Sequence, residues 1–362
     1  MYQKTRTVRI GGAGRTNVLE IGGDAPVSVQ TMWKEGIRNL STDALSSILE
    51  RIDILSALGC DVLRFAVPDM ESADSLIRIA EQTSMPLVAD IHFDYRLALR
   101  CLDGNIAVIR INPGNIGARE RVEAVVQKCR EKNAAIRIGV NTGSFPKDIA
   151  ERVEQGGLSR ARGLAETAAR EAAVFDELGF TNVVVSMKAS SVDETVDANR
   201  DFASKYDIPL HIGVTEAGPM IPGIVKSTLA FSRLLQDNIG GTLRVSLSDT
   251  PENEVITGRS ILTECHRRSG GVRLISCPRC GRVGFDVHGF MARWQNRLLS
   301  MKKDITVAVM GCVVNGPGEG RHADIGIAGA GDSAIIFRRG KIIRTVKAQD
   351  ADKVFEEELN SL

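Results

Sequence analysis

Short β-branched runs alternate with helical segments eight times through the first roughly 250 residues, and no other feature restricts the fold as severely. The runs are Pro26 to Gln30, Val62 to Val67, Pro86 to Ile91, Val108 to Asn112, Ile136 to Val140, Asn182 to Met187, Pro209 to Val214 and Thr242 to Leu247. The spacers read as amphipathic helices. Ser41-Thr42-Asp43 opens a long one that Gly59 stops, and another spans Ala118 to Asn133 with Val122, Val125 and Val126 on its apolar face. Eight βα units in that length have the rhythm of a TIM (β/α)8 barrel, whereas a doubly wound sheet usually stops at five or six strands. A hairpin over residues 5–22, turning at Gly11-Gly12-Ala13-Gly14, precedes the first strand and is suited to plug the barrel floor. Its glycines do not fit GxGxxG and carry no dinucleotide expectation.

After Gly270-Gly271 the rhythm changes to strands at Val272 to Ser276, Ile305 to Met310, Ile325 to Ala328, Ala334 to Phe337 and Ile342 to Val346, with a closing helix from Asp350 to Leu362. The expected division is therefore a barrel over residues 1–270 and a small α+β domain over 271–362. A chain of 362 residues, 43% of them hydrophobic, sustains two cores of these sizes.

The 46 basic and 45 acidic residues leave a formal charge of +1, so no global field steers the chain onto nucleic acid or a membrane. An aromatic content of 4% leaves few rings for stacking on single strands. No run is long and apolar enough for a spanning helix, and the opening MYQKTRTVRIGG lacks the apolar core of a signal peptide, so the expected compartment is the cytoplasm.

Side chains two apart on a strand share a face, and polar groups recur on one face near the C-terminal ends of these strands. Arg110 and Asn112, Arg137 and Asn141, Asp90 and His92, Ser186 and Lys188, and Arg244 with Ser246 follow this pattern, and Arg64 stands alone on its strand. A strand arginine taken singly is usually a surface residue. In a barrel sheathed by helices, it must instead face the mouth or be buried and paired. Arg64, Arg110, Arg137, Lys188 and Arg244 against Asp90 and Glu216 make the mouth net positive, which suits a small polyanion such as a diphosphate. Asp90, His92 and Glu216 fit acid-base or hydroxyl-positioning roles as well as structural ion pairs. His211, deeper on its strand, reads as a satisfied core histidine.

The chain has 7 cysteines, and those at Cys60, Cys101, Cys129 and Cys265 lie singly on helical segments, as small buried hydrophobes do. The remaining three form a constellation: Cys277-Pro278-Arg279-Cys280 directly after a strand, then Cys312 within a glycine-rich run from Met310 to Glu319. Zinc would need a fourth ligand, which His288 or His322 can supply. Three thiolates with glycine-rich flanks also suit a [4Fe-4S] cluster, with Glu319 as the candidate fourth ligand. The basic run Arg338-Arg339-Gly340-Lys341 reads as a solvated hairpin turn, with docking of an acidic electron carrier as the lesser alternative.

Val88 to Asp94, Arg110 to Asn115, Arg137 to Asn141, Gly213 to Gly218, Cys277 to Arg282 and Met310 to Glu319 together resemble the family of 4-hydroxy-3-methylbut-2-enyl diphosphate synthases, and the similarity runs from about Thr5 to the C-terminus. The resemblance implies a TIM barrel followed by an iron-sulfur domain like those of sulfite and nitrite reductases. It also implies reductive ring opening of 2-C-methyl-D-erythritol 2,4-cyclodiphosphate with loss of water, in the methylerythritol phosphate isoprenoid pathway. Two electrons would arrive singly from flavodoxin or ferredoxin. By the same resemblance Cys277, Cys280, Cys312 and Glu319 match the ligands of a [4Fe-4S] cluster, with Glu319 yielding to a substrate oxygen and so acting as the catalytic residue. Arg64, Arg110, Arg137, Lys188 and Arg244 match the phosphate-binding set, and Asp90, His92, Asn141, Glu216 and Ser246 the polar remainder. The chain has the length of the short bacterial form, which implies a head-to-tail homodimer. It departs from the family at Trp33 and Lys34, where a small polar residue commonly follows Gln30-Thr31-Met32, and at His322, where an acidic residue is common. Two other classes compete with this reading: a zinc-containing barrel lyase with Lys188 as a Schiff-base amine, and a cluster-based sensor or relay on an inert barrel.

Overall fold

The computed structural model describes residues 4–278, 280–281, 284–314, 316, 318 and 320–362. The chain divides into two compact units, Met1–Arg268 and Ser269–Leu362.

In the first unit the strands are β1 (Thr7–Ile10), β2 (Leu19–Gly22), β3 (Ser28–Met32), β4 (Val62–Ala66), β5 (Leu87–Asp90), β6 (Val108–Ile111), β7 (Ala135–Asn141), β8 (Val183–Lys188), β9 (His211–Gly213) and β10 (Thr242–Arg244). Strands β3 to β10 form one parallel sheet in the order β8-β7-β6-β5-β4-β3-β10-β9. A parallel bridge between Val185 and Leu210 joins β8 to β9 and brings the two ends of that sheet together. The expected eight-stranded barrel is present. Helices between the strands are capped as the sequence suggests: Ser41 accepts the Ala44 N–H before Thr42–Leu58, and Gly59 ends that helix at a φ of 108°.

Strands β1 and β2 pair antiparallel, and Val8, Ile10 and Ile21 form one buried cluster with Val62, Val88, Val108, Ala135 and Val184. All five of those partners lie at the first or second residue of their strands, so the hairpin closes the N-terminal end of the barrel with apolar side chains. This leaves the C-terminal end for polar groups. Strands β9 and β10 are shorter than the apolar runs suggest, ending at Gly213 and Arg244, because the residues beyond them turn into the loops at the mouth.

The second unit has a five-stranded sheet, β11 (Arg273–Ser276), β12 (Thr306–Met310), β13 (Ile325–Ala330), β14 (Ser333–Arg338) and β15 (Lys341–Lys347), paired in chain order. Strands β11, β12 and β13 are parallel, and β14 and β15 are antiparallel additions. The helices Val287–Leu299 and Ala351–Asn360 bury Phe290, Trp294 and Phe355 against this sheet. Strand β13 runs the same way as β12, so the Arg338 to Lys341 turn lies at the sheet end opposite to Cys277 and Cys312, which weighs against docking an electron carrier there.

Candidate active site

Because alternate residues of a barrel strand point inward, the layer above the apolar floor is set by position alone. Arg64 of β4, Arg110 of β6, Arg137 of β7, Lys188 of β8 and Arg244 of β10 all reach the wall of one small cavity of about 80 Å³. Asn141 and Ser246 line its upper part, together with Thr215, Ser186 and Gly139. Seven of the ten expected substrate-binding residues therefore meet at one place.

Asp90, 1% exposed, lies behind the cations, accepting from Arg64 Nη2 at 2.7 Å and from Arg110 Nη1 at 3.1 Å. Burial opposes ionisation of this carboxyl, but Arg64, His92 and Arg110 together hold it far below the usual carboxylate range. The Asp90 carboxylate fixes two guanidinium groups from behind. His92 Nε2 stands 3.5 Å from the same carboxylate on a largely exposed side chain. Glu216 is exposed in the turn after β9 at a φ of 50° and is not part of the cavity wall.

Among the described residues, Arg137 and Lys188 have no such carboxylate beside them. Arg137 donates from Nη1 to Gln30 Oε1, while its buried Nη2 and the Nε of Arg64 find no acceptor. Burial, aided by Arg110 and Arg244 and opposed by Asp90, brings the Arg64 pKa down to about 10. Burial and then the neighbouring guanidinium groups push Arg137 and Lys188 well below their ordinary values. Orphaned donors beside stressed cations are the signature of a site waiting for an anion.

His211 is fully buried, lines the cavity and sits with Nε2 3.3 Å from Lys188 Nζ. It belongs to the site and not to the apolar core in which the sequence reading puts it. Burial, with Arg137 and Lys188 adding to it, drives its pKa well below 6.5, so it is a neutral ring at physiological pH.

Sequence reasoning also missed Glu254. This carboxylate, with no solvent exposure, accepts from Arg244 Nε and Nη2 at 3.2 Å each and forms an ion pair with Lys34 at 3.0 Å. The unusual pair after β3 is thereby accounted for: Lys34 joins this carboxylate, and Trp33 stacks on Phe65 at 5.6 Å beneath the Arg51 guanidinium.

In the second unit, Cys277 follows β11 and Cys312 follows β12 after Gly311, at the C-terminal ends of two adjacent parallel strands. Cys277 Sγ accepts the Gly311 N–H at 3.0 Å. A Cβ on Gly329 would fall 2.5 Å from the Gly284 carbonyl carbon and 2.7 Å from the Gly311 oxygen, so only glycine allows this close approach of the chain around the thiols. Cys312 is buried and Cys280 exposed. Among the described residues no three His, Cys, Asp or Glu side chains are gathered to hold a metal ion, and Glu319 lies outside the described residues. Soft thiol donors on adjacent strand ends, one already accepting an N–H···S bond, fit an iron-sulfur cluster in donor chemistry.

Residues 5–259 match the GcpE TIM-barrel domain, and residues 273–361 match the GcpE protein C-terminal domain. The chain belongs to the GcpE family. Relatives of this GcpE chain carry the name 4-hydroxy-3-methylbut-2-en-1-yl diphosphate synthase (flavodoxin). The protein from Treponema pallidum is 59% identical, covering 100% of this chain and 93% of its own length. That from Treponema denticola is 56% identical over 99% of this chain and 98% of its own, and that from Geobacter sulfurreducens 45% identical over the same shares. Among solved structures, a dihydropteroate synthase from Xanthomonas albilineans covers 71% of the GcpE chain and 97% of its own at 14% identity and a TM-score of 0.47, a likeness too distant to bear on activity. No described helix is long and apolar enough to cross a membrane.

Proposed function

We propose that this chain is a 4-hydroxy-3-methylbut-2-en-1-yl diphosphate synthase that opens 2-C-methyl-D-erythritol 2,4-cyclodiphosphate reductively, taking up two electrons and a proton and releasing water. The observation that carries the reading is the buried cation cavity, in a chain that belongs to the GcpE family and has Cys277, Cys280 and Cys312 in its smaller unit. Arg137 and Lys188 bind phosphate oxygens, which relieves the orphaned Arg137 Nη2 and favours the charged form of a buried amine. Arg64 and Arg110 bind from orientations fixed by Asp90, and Asn141 and Ser246 contribute neutral hydrogen bonds at the mouth.

Cys277, Cys280 and Cys312, with Glu319 as fourth ligand and catalytic residue, would hold a [4Fe-4S] cluster. Bound there, such a cluster supplies single-electron delivery and a Lewis-acidic iron. His92 and Glu216 take the substrate's hydroxyl side in this reading. Flavodoxin is the proposed donor, a head-to-tail homodimer the working assembly and the cytoplasm the compartment, where thiols stay reduced. The test is anaerobic preparation with iron and sulfide counted, followed by turnover of the cyclic diphosphate with reduced flavodoxin. A four-iron chromophore and dehydrated linear diphosphate are expected. Stoichiometric zinc, or a Lys188 adduct trapped by borohydride, would replace this reading with a barrel lyase.

A further inference from the structure

Glu254 sits at the fourth position of the helix Pro251–Glu264, behind the cavity wall, with no exposure to solvent. Five donors converge on its two oxygens. Thr31 Oγ1 donates at 2.7 Å, the Leu247 N–H at 3.0 Å, Lys34 Nζ lies at 3.0 Å, and Arg244 Nε and Nη2 close a fork at 3.2 Å each. Lys34 also donates to the Leu247 carbonyl at 2.8 Å, so both backbone groups of Leu247 are held by this one ion pair. The cavity residue Arg244 and the backbone of Leu247, next to the cavity residue Ser246, are thus held by the same carboxylate.

We propose that Glu254 is a positioning residue for substrate binding, acting through Arg244. With Nε–H and one N–H of Nη2 clamped, Nη1 and the second N–H of Nη2 are the donors left for a phosphate oxygen, since the Nη1 contact here is the weakly accepting Met32 sulfur at 3.7 Å. The carboxylate fixes the plane of the guanidinium and removes the rotamer entropy that Arg244 would otherwise lose on binding. Lys34 balances the second half of the buried charge, so that Glu254 need not draw Arg244 out of the cavity wall.

This inference rests on the diphosphate reading above, and the experiment separates the two. Affinity of the anaerobic holoprotein for 2-C-methyl-D-erythritol 2,4-cyclodiphosphate is measured by calorimetric titration for wild type, Glu254→Gln, Arg244→Gln and the double variant. Loss of a positioned charge-assisted contact weakens binding by about ten- to a hundredfold in Glu254→Gln. In the Arg244→Gln background, the same substitution changes affinity by less than about twofold. Equal losses in both backgrounds, or wild-type affinity in a Glu254→Gln protein whose melting temperature alone has dropped, would overturn the positioning role. A wild-type chain with no affinity for the cyclic diphosphate would instead sink the underlying reading. Should Glu254→Gln not fold, Glu254→Asp keeps the charge but shortens its reach, and the same comparison of backgrounds applies.

Discussion

An added Cβ at Gly139 would stand 2.3 Å from Arg110 Nε and 2.4 Å from its Nη2, and one at Gly213 would stand 2.8 Å from Lys188 Cε. These inward-facing glycines make the space that two cations occupy. Because the crowded atoms at Gly139 are the far end of a flexible side chain, Gly139→Ala should fold normally and displace Arg110. The expected result is about a tenfold weaker cyclic diphosphate with a melting temperature near that of wild type. His211 leads to a pH prediction. Its folded pKa lies well below 6.5, so as pH falls through 6.5 the unfolded chain binds a proton that the folded chain refuses. Stability then falls by about 1.4 kcal/mol per pH unit from this group. Denaturant titrations from about pH 7 to about pH 5.5 should show wild type losing about 1 kcal/mol more than His211→Asn, and parallel losses would show that the ring is already charged in the fold. The five barrel cations were legible because a period of two in a helix-sheathed strand leaves an arginine nowhere else to go. Glu254 was not, since an acidic residue in the first turn after Thr250-Pro251 reads equally well as a partner of the helix dipole. His211 was misplaced because depth along a strand does not say whether the next layer is apolar or hollow.

Among the elements, the hairpin β1–β2 shows how local pattern and barrel geometry combine. Gly11 has a φ of 76°, and a Cβ there would meet the Asn17 carbonyl oxygen at 2.1 Å, so the turn admits only glycine and sets the register that points Val8 and Ile10 at the barrel floor. Ile10 is fully buried in a cluster shared with five barrel strands, so Ile10→Ala removes packing that no single strand can replace. A loss of about 2–4 kcal/mol is expected by denaturant unfolding. A loss below about 0.5 kcal/mol would make the hairpin an ornament to the barrel. Strand existence was legible throughout because apolar, β-branched runs buried on both faces stand out against amphipathic helices. Their ends were not, as β9 and β10 show: backbone that leaves the sheet to build a binding mouth keeps the apolar spelling of a strand, as in Val214 and Val245, which remain fully buried.

Three buried aromatic residues of the second unit gather in one cluster. Rings make up 4% of the sequence, yet Phe290, Trp294 and Phe355 meet in the second unit with centroids 5.5, 5.2 and 5.1 Å apart. The barrel buries Phe65, Phe175, Phe202 and Phe231 among its aliphatic layers, whereas the smaller unit of 94 residues packs three rings against one another. The change of strand rhythm after Gly271 is what marks the boundary in the sequence. What the sequence does not mark is how the cysteine loops close, because thiols brought together from different strand ends have no periodicity. Separate cores predict separate responses to damage. Phe355→Ala should cost the second unit about 3–5 kcal/mol and lower the temperature at which the visible absorbance of the proposed iron-sulfur cluster is lost. The same protein should keep the wild-type midpoint in a thermal scan that follows Trp33, the barrel tryptophan, once Trp294 has been replaced by Phe in both proteins. If both signals shift together by the same amount, the two cores unfold as one cooperative unit, and the barrel's stability then includes the packing of Phe355.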